Sequence, residues 1–405
     1  EKGWRADAYL YCAEVVCPEC AWRVPLAPSW VIGQKSHTVA ELRPNEAGRR
    51  FEIEIHEGVA STRMKQAKES GTARDSRLWC PPCGQDSPID VIRRQAADSD
   101  PSARYHESGL RLWENDDVVP RSDDVFQERL YCIRWVETYW ATNARGEEVQ
   151  KTRWHYLAPD ADDVKREDYV LQLLRERFHE WQRQGYIPNR RIEPGAKTTE
   201  PIRTRGWTHW HHLFTPRQLL VHGCLSSFAF ESGMSKRQIA ASVLAIGRSA
   251  DWDSKLSRWL TDADHEKVVQ TFNNQALNTL VSFGGRSVNL LDTTIKAMIS
   301  SVPVHGRATV IPCDARNLSV ENDIWLTDPP YADAINYHEL SEFFLAWYEK
   351  HLPRLFPEWY TDSKRALAVK ADDPIEFRQS MVTCYRRLVD QMPDHGLQVV
   401  MFTHQ

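Results

Sequence analysis

The sequence predicts an α/β protein, with a β-rich, cysteine-bearing N-terminal region and a helical middle leading into a partial parallel sheet at the C-terminal end. Three observations carry this. Two Cys-x-x-Cys turns, Cys17 with Cys20 and Cys80 with Cys83, bracket the alternating stretch Arg50–His56. Apolar residues at helical spacing run through the middle of the chain. The last hundred or so residues alternate strand-like and helix-like segments, the pattern of a sheet with crossover helices.

Taken in order, the first region (1–100) holds the two cysteine turns, the strand at 50–56 and a short Lys-, Ala- and Glu-rich helix between residues 60 and 77. A polar stretch with a proline at 98–102 reads as a linker. The second region (101–214) opens into a long hairpin. β-prone residues from 130 to 140 reach the polar turn Asn143-Ala144-Arg145-Gly146, and a second β-prone run returns from Val149 to Leu157. From 160 to 184 Val170, Leu171, Leu174, Phe178 and Trp181 share one helical face, and Gly185 ends it. Residues 187–214 form a Pro-, Arg- and His-rich connection without clear periodicity. The third region (215–300) reads as helical, beginning at Thr215-Pro216 and continuing to about residue 278, with breaks near Gly233 and Asp251. The fourth (301–405) carries the α/β pattern.

Bulk properties narrow the function classes. The chain has 405 residues, 41% hydrophobic and 26% charged, with no apolar run near the ~20 residues a membrane span needs. Its first residues lack a basic stretch followed by an apolar core, so no secretory signal is expected and a cytoplasmic location is. A net charge of −5 argues mildly against a non-specific polyanion binder, without excluding a local basic groove. Nine cysteines, an odd number, argue against a disulfide framework. Sixteen tryptophans can fill cores or stack on bases, and composition does not choose.

Cys17, Cys20, Cys80 and Cys83 are the metal-ligand candidates. Each turn brings two thiolates within reach of one Zn²⁺, and two turns complete a closed tetrahedral, hence structural, site. The alternative is two unrelated reduced pairs or one redox-active pair. Cys12 is near enough to be a spare ligand, though a buried thiol suits it better.

The densest chemical signal lies further on. A strand is expected over 308–316, ending in the acid Asp314, and a second over 323–327. Asp328-Pro329-Pro330-Tyr331 follows, then an amphipathic helix with Leu340, Phe343, Phe344, Trp347 and Tyr348 on one face. Asp328 therefore belongs at the carboxyl end of a parallel strand, where open α/β sheets bind ligands. An adenine amine is a poor nucleophile because its lone pair is delocalised into the ring. A carboxylate at Asp328 and the carbonyl of Pro329 can each accept one amine hydrogen, favouring a tetrahedral nitrogen whose lone pair faces a sulfonium methyl. The prolines stiffen the turn and remove competing N–H donors. Tyr331 can stack on a base flipped out of its duplex. The bland alternative is an ordinary strand-end turn.

With these residues in view, 308–405 resembles strands three to five of a class I methyltransferase, a Rossmann-like sheet. Adding the cysteine turns and Glu128-Arg129-Leu130-Tyr131-Cys132-Ile133-Arg134-Trp135, most of the chain resembles the zinc-ribbon-containing adenine-specific DNA methylase family. The resemblance implies S-adenosylmethionine-dependent methylation of adenine N6 in DNA, often in bacterial or archaeal defence and modification systems. It also implies that Asp314, with Ala315 beside it, contacts the cofactor's adenosine. Asp333 and Tyr337 are lesser candidates for lining the substrate pocket.

The family pattern also includes a Gly-rich cofactor loop, and no convincing copy is present. Ser282-Phe283-Gly284-Gly285-Arg286 is the one glycine pair of interest, but no strand precedes it. A fragment is therefore expected, or a subunit whose loop comes from a partner chain or from residues upstream of Glu1. Arg205 and Trp207, in a loop mixing cations and aromatics with His209, His211 and His212, suit either a nucleic-acid contact or a loop clamped by packing. Arg217, at a helix start, suits either a phosphate or a surface. Besides adenine, the acceptors cytosine N4, an RNA base and a protein glutamine amide remain open. So does an inactive, zinc-stabilised scaffold that binds nucleic acid.

Overall fold

Arg5–Val16 forms strand β1, and its residues Ala8, Leu10, Cys12, Ala13 and Val15 are almost wholly buried. A strand buried this thoroughly needs partners on both edges, and β1 has them. In the computed structural model, which describes residues 3–97, 109–296, 305–330, 335–359, 367–369 and 373–401, three strands pair with it.

The elements that follow β1 are β2 (Arg23–Leu26), β3 (Val31–Gly33), β4 (Thr38–Asn45), β5 (Arg50–His56), α1 (Ser61–Glu69), β6 (Ala73–Arg74), β7 (Arg77–Cys80), β8 (Gln85–Pro88) and α2 (Ile89–Ala97). Next come the long hairpin β9 (Gln127–Thr142) and β10 (Glu148–Leu157) and the helices α3 (Ala161–Gln184), α4 (Thr199–Arg205), α5 (Pro216–Glu231) and α6 (Lys236–Trp252). Three strands, β11 (Trp259–Thr261), β12 (Glu266–Val268) and β13 (Ser282–Arg286), and α7 (Val288–Ile295) complete the first compact unit. Its main sheet runs β10-β9-β1-β2-β5-β4-β3. Antiparallel β9 pairs with β1 from Arg5 to Glu14, while β13 (Ala8 with Arg286) and β2 (Ala13 with Leu26) pair further along it. β6, β7 and β8 form a separate three-stranded sheet.

Local chemistry sets the helix ends. Asp160 caps α3 in a reciprocal box with Asp163, and Gly185 closes it in the left-handed conformation at φ 84°. Thr215 and Gln218 form the same box ahead of α5, with Pro216 in the first turn. Leu174, Phe178 and Trp181 are the buried face of α3.

The middle of the chain departs from the expected all-helical run. Helix ends at Asp253, and the residues beyond it build β11, β12 and β13. The glycine pair sits inside β13, where close packing accounts for Gly284. A Cβ on Gly284 would lie 2.9 Å from a methyl of Val268. Ser282–Arg286 is therefore a core strand and not a phosphate-cradling loop. The three regions anticipated before residue 300 also share one sheet, since β1, β9 and β13 lie side by side.

The second unit comprises Gly195–Thr198 and Ser300–Gln405. β14 (Ile324–Thr327) pairs in parallel with β15 (Leu397–Val400), Ile324 opposite Leu397 and Thr327 opposite Val400. Between them lie α8 (Tyr337–Leu340), α9 (Glu342–Tyr348), α10 (Leu352–Leu355) and α11 (Pro374–Asp390). Leu340, Phe343 and Trp347 are buried as their spacing requires. The strand expected over 308–316 is absent among the described residues. Val310 and Ile311 are exposed, and Asp314 instead caps a single 3₁₀ turn, 315–317. The chain is thus mixed α/β, and none of its described helices is long and apolar enough to cross a membrane.

Candidate functional site

Asp328 follows β14 directly and is exposed, with Pro329 half-buried and Pro330 exposed. The two-strand parallel ladder therefore delivers the Asp-Pro-Pro turn to the carboxyl end of the pair, as the sequence pattern anticipates. Among the described residues no hydrogen bond or ion pair engages the Asp328 side chain, so the carboxylate is available as an acceptor. Tyr331 and Asp333 lie outside the described residues. Tyr337 opens α8 and is 50% exposed.

Asp314 is not free. Arg316 donates from its backbone N–H (2.9 Å) and from Nε (2.9 and 3.1 Å) and Nη2 (2.7 Å) to the two carboxylate oxygens, and this pairing holds the Asp314 carboxyl below its ordinary pKa. Ala315, next to it, is exposed. A ligand hydroxyl or amine would have to displace the Arg316 fork to reach Asp314.

The remaining substrate candidates lie in the first unit and face inward. Arg205 is buried, donates to the carbonyls of Thr204 and Leu280, and stacks 4.2 Å from the Phe126 ring centroid. Trp207 is 3% exposed. With Trp113, Phe126, Glu128 and Phe283 the two line a cavity of ≈ 40 Å³, room for about one to a few waters. Lys255 Nζ lies behind it, 2.7 Å from Glu128 and about 5 Å from the Trp113 and Trp207 ring centroids. Arg217 is held by Glu167 through Nε at 2.9 Å and sits 4.3 Å over the Tyr9 ring. His211 and His212 are fully buried, and burial drives the His211 pKa down to about 3. The basic–aromatic loop is thus packed rather than presented to solvent, the second of the two possibilities its composition allows.

The four cysteines converge. Cys17 Sγ is 3.9 Å from Cys83 Sγ, Cys20 Sγ is 3.5 Å from Cys80 Sγ, and all four sulfurs lie within 4.8 Å of one another. Four thiolates around one tetrahedral ion at ~2.3 Å would stand ~3.8 Å apart, so the donor set fits a metal such as zinc without rearrangement. No sulfur remains for an open coordination position. Cys12 is buried in β1 and does not join the cluster.

A further feature escaped the sequence pattern. Glu339, in α8, is 3% exposed. Its Oε1 accepts the Ala196 N–H at 2.9 Å, and its Oε2 accepts the N–H groups of Lys197 (2.8 Å) and Thr198 (3.0 Å) and the Thr198 hydroxyl (3.2 Å). Successive main-chain N–H groups converging on one carboxylate form an anion nest. Burial alone would raise the pKa of Glu339, but these N–H donors together outweigh it and hold the carboxyl below its ordinary value. No local signal links residue 339 to residue 195. The glycine at 195 is the one trace, because a Cβ there would fall 2.5–2.7 Å from the Glu339 carboxylate.

No family model, curated protein or solved structure matches the chain.

Proposed function

We propose that this chain carries the catalytic part of an S-adenosylmethionine-dependent DNA methyltransferase that modifies N6 of adenine, in a bacterial or archaeal modification or defence system. The observation that carries this reading is the Asp328-Pro329-Pro330 turn, with Asp328 exposed, at the carboxyl end of a parallel strand. Asp328 and the Pro329 carbonyl accept the two amine hydrogens of the target base and turn its lone pair toward the methyl donor. The prolines offer no N–H to compete for the carboxylate. S-adenosylmethionine supplies the methyl group, and catalysis rests on positioning and charge without a covalent intermediate. The cysteine cluster, loaded with Zn²⁺, is structural.

The described residues do not form a complete pocket for the methyl donor. Arg316 occupies Asp314, and the only glycine pair of interest lies in β13. A second feature supports an incomplete sheet. Ile324 (64%), Leu326 (66%) and Leu397 (56%) are exposed on the parallel pair, whereas parallel sheets are normally covered on both faces. In a complete sheet, further strands would extend the edges and carry the Gly-rich turn, and their crossover helices would cover this face; both would come from another segment or a partner chain. The closed Asp314 also favours one competing reading, an inactive scaffold that binds nucleic acid.

Nucleoside mass spectrometry on unmethylated DNA, incubated with S-adenosylmethionine and the complete gene product, tests the proposal. N6-methyladenine is expected from the parent and not from Asp328→Ala. Methylcytosine, methylated RNA or methylated protein would move the acceptor. Absence of S-adenosylmethionine binding would favour the scaffold.

A further inference from the structure

The β9–β10 hairpin outruns the sheet that carries it. β1 accompanies β9 only as far as Val136, opposite Arg5, while β9 and β10 stay paired out to Thr142 and Glu148. β10 ends the sheet order, so among the described residues each strand of the ribbon beyond Val136 has only the other beside it. The stretches 137–142 and 148–153 thus extend ~20 Å past the sheet. The pairing runs without a bulge, and alternation sorts the side chains onto two faces. One face carries Trp140, 66% exposed, and Trp154, 50% exposed. Trp154 lies opposite Val136, four residues from Trp140, so the indoles stand ~14 Å apart along the ribbon. The buried Arg134 guanidinium, 5.9 Å from the Trp154 ring centroid, steadies that ring. The other face carries Lys151 and Arg153, the latter 5.1 Å over the Tyr139 ring. Its one acid, Glu137, is engaged by His155 at 2.9 Å and Arg153 at 3.9 Å. Two further acids, Glu147 and Glu148, sit at the turn and accept from Asn143 and Thr142.

We propose that the outer part of this ribbon is a docking surface for an unpaired nucleic-acid strand, whose bases stack on Trp140 and Trp154 while its phosphates meet Lys151 and Arg153. Indoles held in water gain nothing for a lone two-stranded ribbon, which is marginal by itself. They are also not one apolar patch. The Thr138–Thr152 pair stands between them, and Gln150 faces Trp140 across the ribbon. Separate π platforms with hydroxyl and amide groups between them suit stacked bases, which present polar edges between their faces. The cations on the reverse face complement phosphate, and Lys and Arg stems are long enough to reach round the open β10 edge. Docking needs no methyl donor, so it stands or falls separately from the methyltransferase reading.

The test titrates the full chain into a fluorescein-labelled DNA strand, the same strand annealed to its complement, and the same strand made abasic, following anisotropy without S-adenosylmethionine. The parent should bind the intact strand most tightly and the abasic one weakly, through charge alone. Trp140→Ala should weaken binding to the intact strand about 5- to 150-fold, the share of one stacked base, and leave the abasic strand unchanged. A variant that had merely unfolded would lose the abasic strand as well. Trp140→Tyr, which keeps a ring, should recover most of the loss. Lys151→Gln should weaken both strands alike and flatten the salt dependence. Equal affinity for intact and abasic strands, preference for the duplex, or indifference to Trp140→Ala would overturn the proposal. So would a change in sedimentation of the DNA-free chain on Trp140→Ala, which would assign this face to a second copy. The expected pattern supports the docking surface even if the parent transfers no methyl group.

Discussion

Replacing a single cysteine of the cluster should cost the first unit a large share of its stability, and the size follows from chain geometry. Cys20 and Cys80 are 60 residues apart, and their sulfurs are 3.5 Å apart. A bound ion ties those positions together, removing the same loop-closure entropy from the unfolded chain as a covalent cross-link across 60 residues. That amounts to ~4 kcal/mol. In a unit of this size such a loss lowers the melting temperature by roughly 6–7 °C. The assay is far-UV circular dichroism melting of the parent, Cys20→Ser, Cys80→Ser and the double variant, with and without a strong chelator, alongside metal content. The parent should carry one ion per chain. Both single variants should lose it and melt early, and the double should melt no earlier than either single variant, because one ion is lost only once. Costs that add in the double variant, or a parent melt indifferent to chelator, would refute the reasoning.

Three further outcomes follow from the first unit. Burial pushes the Asp253 carboxyl up to about 7, a rise that hydrogen bonds from the Arg286 N–H and Gln218 only partly oppose. Its folded pKa lies above its unfolded one, so its stabilising contribution is complete below pH ~4 and is lost as pH rises to about 7. Asp253→Asn should therefore raise the melting temperature relative to the parent at pH 8 and gain little at pH 4.5, and an equal gain at both would contradict this. Gly284→Ala should cost ~1–3 kcal/mol in urea unfolding, because its Cβ meets Val268 at 2.9 Å. Trp140, 66% exposed near the tip of the β9–β10 hairpin, should be replaceable by Ala with under ~0.5 kcal/mol change in stability. If the hairpin meets single-stranded or flipped DNA, the same change should weaken binding by ~1–3 kcal/mol in a fluorescence titration, and an unchanged affinity would exclude Trp140 from the contact.

Features encoded within one turn of chain could be read from sequence. The Asp160 and Thr215 caps, the Gly185 terminator and the turn at 143–146 each declare themselves through a side chain acting on its own neighbourhood. The paired cysteines were legible because two matched turns need only be brought together. What failed was whatever depends on a distant surface. Ser282–Arg286 becomes a strand because β1, 270-odd residues earlier, offers an edge to pair with, and Val268 in β12 leaves no room for a side chain at Gly284. Arg205 and Trp207 have the composition of a nucleic-acid loop, and the same composition serves a buried one once Phe126 and Trp113 are there to receive it. Asp314 looked like a strand-terminal acid, yet its partner is two residues away and the described residues 305–313 leading to it form no strand. Glu339 gave no sign because its receptor is main chain, which sequence does not distinguish from any other.

The place of β1 has a consequence for synthesis. It leaves the ribosome well before its neighbour β13, whose Arg286 pairs with Ala8. At ~5–20 residues per second, translation leaves that edge open for about a quarter of a minute to a minute. Throughout, the nascent chain displays a long apolar strand with unpaired main-chain groups, a template for wrong partners. Slower synthesis at lower temperature, or a holdase that shields Arg5–Val16, should raise the soluble yield of this chain more than a stabilising change in its finished fold.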